Sequence, residues 1–361
     1  MATTPHPARA PGRLAVRLRV GRLGRAGSLA LAGVVTLLVV LVGGIVLGTV
    51  DLAPATTVAI LAKRLAGLDL GIAWAPTAEA IVMDLRLPRV LTAMVVGTGL
   101  AVAGCTFQGL LRNPLADPYV LGTASGAALG AAVAVLIPVR TVFLEFGLLH
   151  TLAFIGALVS VTVVYRLSRT GPLSPMTSLL LTGYAVGSLL AAGLAMAMYL
   201  SGTGLRQIFS YLLGGFDGAS WLRLAVAAPL ILGGTIAILM RARSLNGFLL
   251  GEEAAAHLGV DVRRERAILL ALASLVTAAG VAVAGLIGFV GLVIPHLVRL
   301  LVGPNARLVL PLSALFGASL LAAADVAARM LGGVPVGVVT AVIGAPFFLL
   351  LLRHARSGYE L

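Results

Sequence analysis

The chain has 361 residues, of which 60% are hydrophobic and only 11% charged, with a mean hydropathy of +1.08 and a net charge of +13. A soluble domain carries about a quarter charged residues, so this composition excludes a water-soluble globule and leaves an integral membrane protein. The apolar runs far exceed the ~10 residues of a barrel strand, so the expected fold is all-α, a polytopic helical bundle in the lipid bilayer.

The positive charge does not point to nucleic acid. Basic residues stand in short clusters between apolar runs, the pattern that orients a membrane protein. Residues 1–27 hold Arg9, Arg13, Arg17, Arg19, Arg22 and Arg25 and no acid. The run at 28–50 is too long for the apolar region of a signal peptide. A basic cytoplasmic tail over 1–27 and a first spanning helix are expected. The next interval, 51–85, tolerates polar residues (Lys63, Arg64, Trp74, Glu79) and predicts a short surface helix.

Residues 86–130 organise the chain. RLPR (86–89) precedes a charge-free, glycine-dotted span at 90–111, then a tight polar turn, RNPLADP (112–118), and another apolar run. At about 1.5 Å per residue such a span crosses a bilayer core of about 30 Å. Further spans are expected at 119–139, 146–165, 178–200, 221–240, 267–289, 291–302 (short), 308–328 and 334–352. That makes about ten, within a membrane domain over 28–353 and followed by a cytoplasmic tail at 354–361. Most lysines and arginines then fall on the side of the two termini, which predicts both termini inside.

An internal repeat is visible. GLAVAG (99–104) is matched by GVAVAG (280–285), and Pro114 meets Pro295 at the same offset. In a ten-span topology the two copies run in opposite directions, an inverted repeat of the kind common in transporters. Small residues such as Gly183, Gly187, Ala191 and Ala195 allow close helix packing.

Catalytic chemistry is hard to find. Lys63 is followed by Arg64 and preceded by no glycine-rich loop, so no phosphate-binding loop is present and ATP would be hydrolysed by another subunit. Histidines and the single Cys105 never meet at ligand spacing, so no metal or other cofactor is expected. No hydrolase signature occurs. Asp325 is the exceptional mid-span acid, with Arg329 at i+4 as its partner. Scarce intramembrane carboxylates argue against a proton-coupled carrier. The loop 241–266, RARSLNGFLLGEEAAAHLGVDVRRER, has basic ends and two glycine breaks. Within it, 251–258 predicts a short amphipathic helix ended by Gly259, either a solvated surface helix or a docking element.

These residues resemble the permease subunits of iron-chelate, haem and vitamin B12 uptake ABC transporters, the FecCD/BtuC-type family. The matching runs are RLPR, RNPLADP, LGTASGAALG (121–130), LLGG (212–215) followed by Trp221, LGEEAAAHLGV (250–260), AGLIGFVGLVIPHLVRL (284–300), AADVAAR (323–329) and PVGVVTAVIGAPFFLLLL (335–352). Their order and spacing agree over nearly the whole chain beyond the basic tail. The resemblance departs at Ala256, often Arg in the family, and at Gly333, where Glu-Leu-Pro commonly replaces Gly-Val-Pro.

The resemblance implies a transport subunit rather than an enzyme, in the inner membrane of a prokaryote. Its partners would be a second permease copy or paralogue, two cytoplasmic ABC ATPases and an extracytoplasmic substrate-binding protein. It implies that Arg86, Arg89 and Arg329 face outward and pair with carboxylates of the binding protein, a task that suits the guanidinium fork. Leu250, Gly251, Glu252, Glu253, Ala254, Leu258 and Gly259 would belong to the helix that couples to the ATPase, and 178–200 would line the path. The expected cargo is a ferric siderophore. Haem and cobalamin are the alternatives, since LRQ (205–207) and GGF (214–216) look like cobalamin and haem members; an ion-coupled carrier is the remaining one.

Overall fold

In a bilayer core a backbone must satisfy its own hydrogen bonds, and helices do this within one segment. The computed structural model describes residues 13–137, 147–169 and 175–356, and its regular structure there is entirely helical. Residues 1–12 of the expected tail, 357–361, Arg140 and the span ends at 138–139 and 146 lie outside the described residues. Seven helices are long and apolar enough to cross a membrane, and three shorter apolar helices join them. Together they account for the ten spans read from the sequence.

Helix α1 (Arg13–Val46) begins inside the stretch expected as a tail; its arginines are good helix formers, and its apolar window starts at Arg25. A short α2 (Pro54–Ala66) follows, with proline in its first turn and left-handed Gly67 after its last. Then α3 (Pro76–Ala80) passes through one π turn (Ile81–Arg86) into α4 (Leu87–Leu110). The sequence suggested a boundary at RLPR, but the helix continues. The π turn lies just before Pro88, which cannot donate to the preceding turn.

The remaining helices are α5 (Thr123–Leu136), α6 (Gly147–Ser168), α7 (Pro175–Leu200), α8 (Leu205–Leu213), α9 (Trp221–Met240), α10 (Ala242–Leu250), α11 (Glu252–His257), α12 (Val262–Ala284), α13 (Val290–Val302), α14 (Ala306–Met330) and α15 (Val336–Arg356). Helix α5 is shorter than the 119–139 span expected. The chain before it is held in turns that end at left-handed Gly122.

The repeat shows in this order. Helices α4 to α7 have 24, 14, 22 and 26 residues, and α12 to α15 have 23, 13, 25 and 21. Packing follows suit, with α4 on α14 and α12 on α6. Where α4 meets α12, Gly99 faces Val276 while Gly280 faces Val96 and Leu100, so the two repeated motifs pack antiparallel. Helix α4 is apolar and buried almost all round, as expected of a central helix. It reaches α14 through Gly97 and Gly317, where a Cβ on either would lie within 2.5 Å of the other's carbonyl oxygen. Helices α1, α6 and α7 are instead largely uncovered and present apolar faces.

Candidate functional site

The two ends of the bundle carry different chemistry. At the end that holds α8, the last carbonyls of α1 lack intrahelical donors. Arg86 supplies them, donating from Nη1 to the Ile45 and Val46 oxygens at 2.9 and 2.7 Å and from Nη2 to Val50. Arg329 does the same from α14, bonding the Leu47 and Gly44 oxygens at 2.9 and 3.0 Å. Two cations thus sit at the negative end of the α1 dipole.

Arg86 and Arg329, expected to face outward, are 5% and 7% exposed and turn toward the carbonyls at the end of α1. Between the arginines lies Asp325, fully buried, 2.8 Å from Arg89 and 3.1 Å from Arg329. The Asp325–Arg329 pair was legible as an i+4 spacing. Arg89 lies 236 residues away, and nothing local announced it. The outer edge of Arg89 stays accessible and reaches exposed Asp217, at 2.8 Å, in the loop between α8 and α9.

Next to this cluster the α12–α13 break opens. Gly285 and Phe289 both adopt left-handed conformations, and the backbone between them is unwound. Several backbone groups near the break find partners on other helices and loops. The Val281 oxygen accepts from the Tyr211 hydroxyl (2.9 Å), the Ala284 oxygen from the Gly215 amide (2.8 Å), and the Ala282 oxygen lies 2.7 Å from His150 Nδ1. The Tyr119 hydroxyl donates to the Ile287 oxygen at 2.9 Å and accepts from the Ile287 amide at 3.2 Å. Pro295 cannot donate to Gly291, so the Gln108 side-chain amide does, at 3.3 Å, and reaches Leu292 at 3.2 Å. Arg299 in turn holds the Gln108 oxygen. Irregular backbone at membrane depth persists where protein satisfies it and where it borders a cavity.

Such a cavity is present. It has a volume of about 710 Å³, and His150, Gln207, Ser210, Tyr211, Asp217 and Arg223 contribute its polar walls. An apolar groove of about 630 Å³ runs between α8 and α15, bordered by Leu213, Leu286, Val338 and Val342. On α7, expected to line the path, Tyr184, Leu189, Met196 and Tyr199 are exposed. Sequence reasoning missed Tyr119, Gln108 and Tyr211; polar atoms within apolar runs were the available signal.

At the opposite end, α10 and α11 form a bent pair. Gly251, at φ 107°, makes the bend. Helix α11 stops where expected: Gly259 is left-handed, its amide bonds the Ala256 oxygen at 2.9 Å, and the Val260 amide bonds Ala255 at 3.0 Å. Buried Ala255 packs toward Gly247, while Leu250 and Leu258 are each 67% exposed. Glu252 pairs with Arg266; Glu253 and Ala256 are exposed, and Ala254 is half-buried. Asn246 ties the pair to α14, accepting from the Ala306 amide at 2.7 Å and donating to Asn305 at 2.9 Å. In the nearby turn, Asp117 accepts from the Tyr119 amide, and burial pushes its carboxyl up to about 6 against that bond.

Comparison with known proteins identifies the family. The profile of the FecCD transport family matches residues 35–354. The cobalamin import system permease BtuC of Halobacterium salinarum is 44% identical over 301 residues, 83% of this chain and 79% of its own. The hemin transport system permease HmuU of Yersinia pestis is 44% identical over 76% of this chain and 85% of its own. A solved chain described as a metal-chelate type ABC transporter in an inward-facing conformation superposes with a TM-score of 0.78 at 30% identity, covering 91% of this chain and 99% of that one. The chain belongs to the FecCD transport family, and is a multi-pass permease of the ABC importer type.

Proposed function

We propose that the chain forms the membrane path of an ATP-driven importer whose cargo is a metal chelate. Energy comes from two ATPase subunits docked on α10 and α11, through Leu250, Glu252, Glu253 and Leu258, and a second permease copy or paralogue completes the path. Cargo arrives from a binding protein at the end that carries α8, which faces outward, with both chain termini inside.

One observation carries this reading. Helix α14 is clamped to the α10–α11 pair through Asn246 at its start and holds the Arg89–Asp325–Arg329 cluster near its end. Its 25 residues, with Pro311 near the start, span about 37 Å as one continuous helix. Movement of α11 by an ATPase therefore reaches the far side without passing through soft loops. The binding protein docks on Arg89 first, because its outer edge is accessible; Arg86 and Arg329 contribute only if they release α1. The chain moves cargo by exchanging shapes and carries out no bond chemistry.

The relatives named for cobalamin and hemin favour a metal tetrapyrrole over the ferric siderophore that motifs alone put first. Mass spectrometry of the chelate retained by the cognate binding protein decides among them. Docking on α11 is tested by Leu250→Asp with Leu258→Asp. This pair, exposed and outside the core, should abolish co-purification of the ATPases while leaving the permease monodisperse. An intact complex would contradict the assignment.

A further inference from the structure

Helix α6 carries two adjoining features that the transport cycle does not use. Ile155, Leu158, Val159, Thr162 and Val163 line a shallow apolar groove of about 260 Å³. Farther along the same helix, Tyr165 and Arg169 meet Asp261, Arg263, Arg264 and Ala267 of the α12 start around a second cavity, also about 260 Å³. Positions 155, 158, 159, 162, 165 and 169 recur at three- and four-residue intervals, so groove and cavity share one helix face. From Ile155 to Arg169 the distance is about 21 Å at 1.5 Å per residue. That matches one leaflet with its headgroups, half of a bilayer about 40–45 Å thick.

The charged groups of the second cavity are three arginines and one aspartate. Arg169, Arg263 and Arg264 are exposed, and none of them enters an ion pair among the described residues. Neighbouring Arg241 and Arg266 differ, since each has a glutamate. The one carboxylate in the wall, Asp261, is occupied as the cap of α12, accepting from the Arg264 amide at 3.0 Å. Arg169 is also held in place, 5.7 Å over the Tyr165 ring. The cavity therefore combines three guanidiniums that enter no ion pair among the described residues with a single carboxylate, Asp261, which caps the 23-residue α12.

We propose that this face binds one anionic phospholipid, its phosphate among Arg169, Arg263 and Arg264 and an acyl chain along 155–163. The apolar groove selects a lipid over free phosphate, which would need only the cations. The site lies at the membrane boundary of the end that carries α10 and α11, where basic pockets between helices collect anionic headgroups.

Native mass spectrometry of the full chain in detergent tests this with three probes: palmitoyl-oleoyl phosphatidylglycerol, the matching phosphatidylcholine, and inorganic phosphate. Phosphatidylglycerol should be retained, phosphatidylcholine lost, and phosphate should fail to displace the lipid. Retention should fall by roughly fivefold per arginine in R169Q/R263Q/R264Q. Thr162→Trp, which fills the groove and keeps every cation, should also weaken it. Undiminished retention in the triple variant overturns the proposal. So does complete displacement by phosphate together with no effect of Thr162→Trp, which would mark a free-anion site. If the triple variant does not fold, the three single variants are measured, and unchanged retention in all of them is equally fatal.

Discussion

Asp325 holds together three helices that the sequence separates widely. Its carboxylate lies between Arg89 of α4 and Arg329 of its own helix, and Arg329 continues to the end of α1. Removing one partner of a buried ion pair leaves the others uncompensated, at a cost of about 3–5 kcal/mol. Asp325→Ala should therefore lower the thermal midpoint of the detergent-solubilised protein by many degrees. An unchanged midpoint would show that the cluster contributes nothing to the fold. Asp217 is the opposite case, exposed and holding only the outer edge of Arg89. An exposed pair is worth about 0.2–1 kcal/mol. If Arg89 docks the binding protein, Asp217 competes with the incoming carboxylate, and Asp217→Asn should tighten docking by about two- to fivefold. Weaker or equal docking, measured by titration, would remove Arg89 from that interface. The arginines were visible in the sequence, but their direction was not. Which way a guanidinium turns depends on where orphaned carbonyls lie, and those of α1 become neighbours only in the fold.

Elements were more legible than contacts. The spans, the short α13 and the stop of α11 at Gly259 follow from apolar run length and glycine placement. RLPR misled because a proline flanked by charges imitates a helix start; a π turn instead lets the helix run through it. Gly333 is a departure from the family pattern with a local reason. It follows Gly332, both are left-handed, and its amide returns to the Ala328 oxygen to end α14. The α12–α13 break was visible only as glycines and Pro295, and its supports came from distant helices. Gln108 is the clearest of these. Gln108→Leu keeps the volume but leaves the Gly291 oxygen, freed by Pro295, without a donor, a loss of about 1–3 kcal/mol. The expected result is a lower thermal midpoint with the bundle otherwise intact; a midpoint equal to wild type would mean that the break does not depend on this bond.

At the scale of the whole molecule, two related four-helix sets pack antiparallel around α4 and α12, and each contains one short helix. The bundle supplies a cavity of about 710 Å³ beside a broken helix, and a continuous helix, α14, between its ends. No phosphate-binding loop occurs in the chain's sequence, and in the proposed function the drive comes from ATPase subunits. The most direct measurement is uptake of the cognate chelate into proteoliposomes. With ATPase subunits, binding protein and ATP present, cargo should accumulate against its gradient, and with the permease alone it should not. Uphill accumulation by the purified chain without any ATPase would contradict the account.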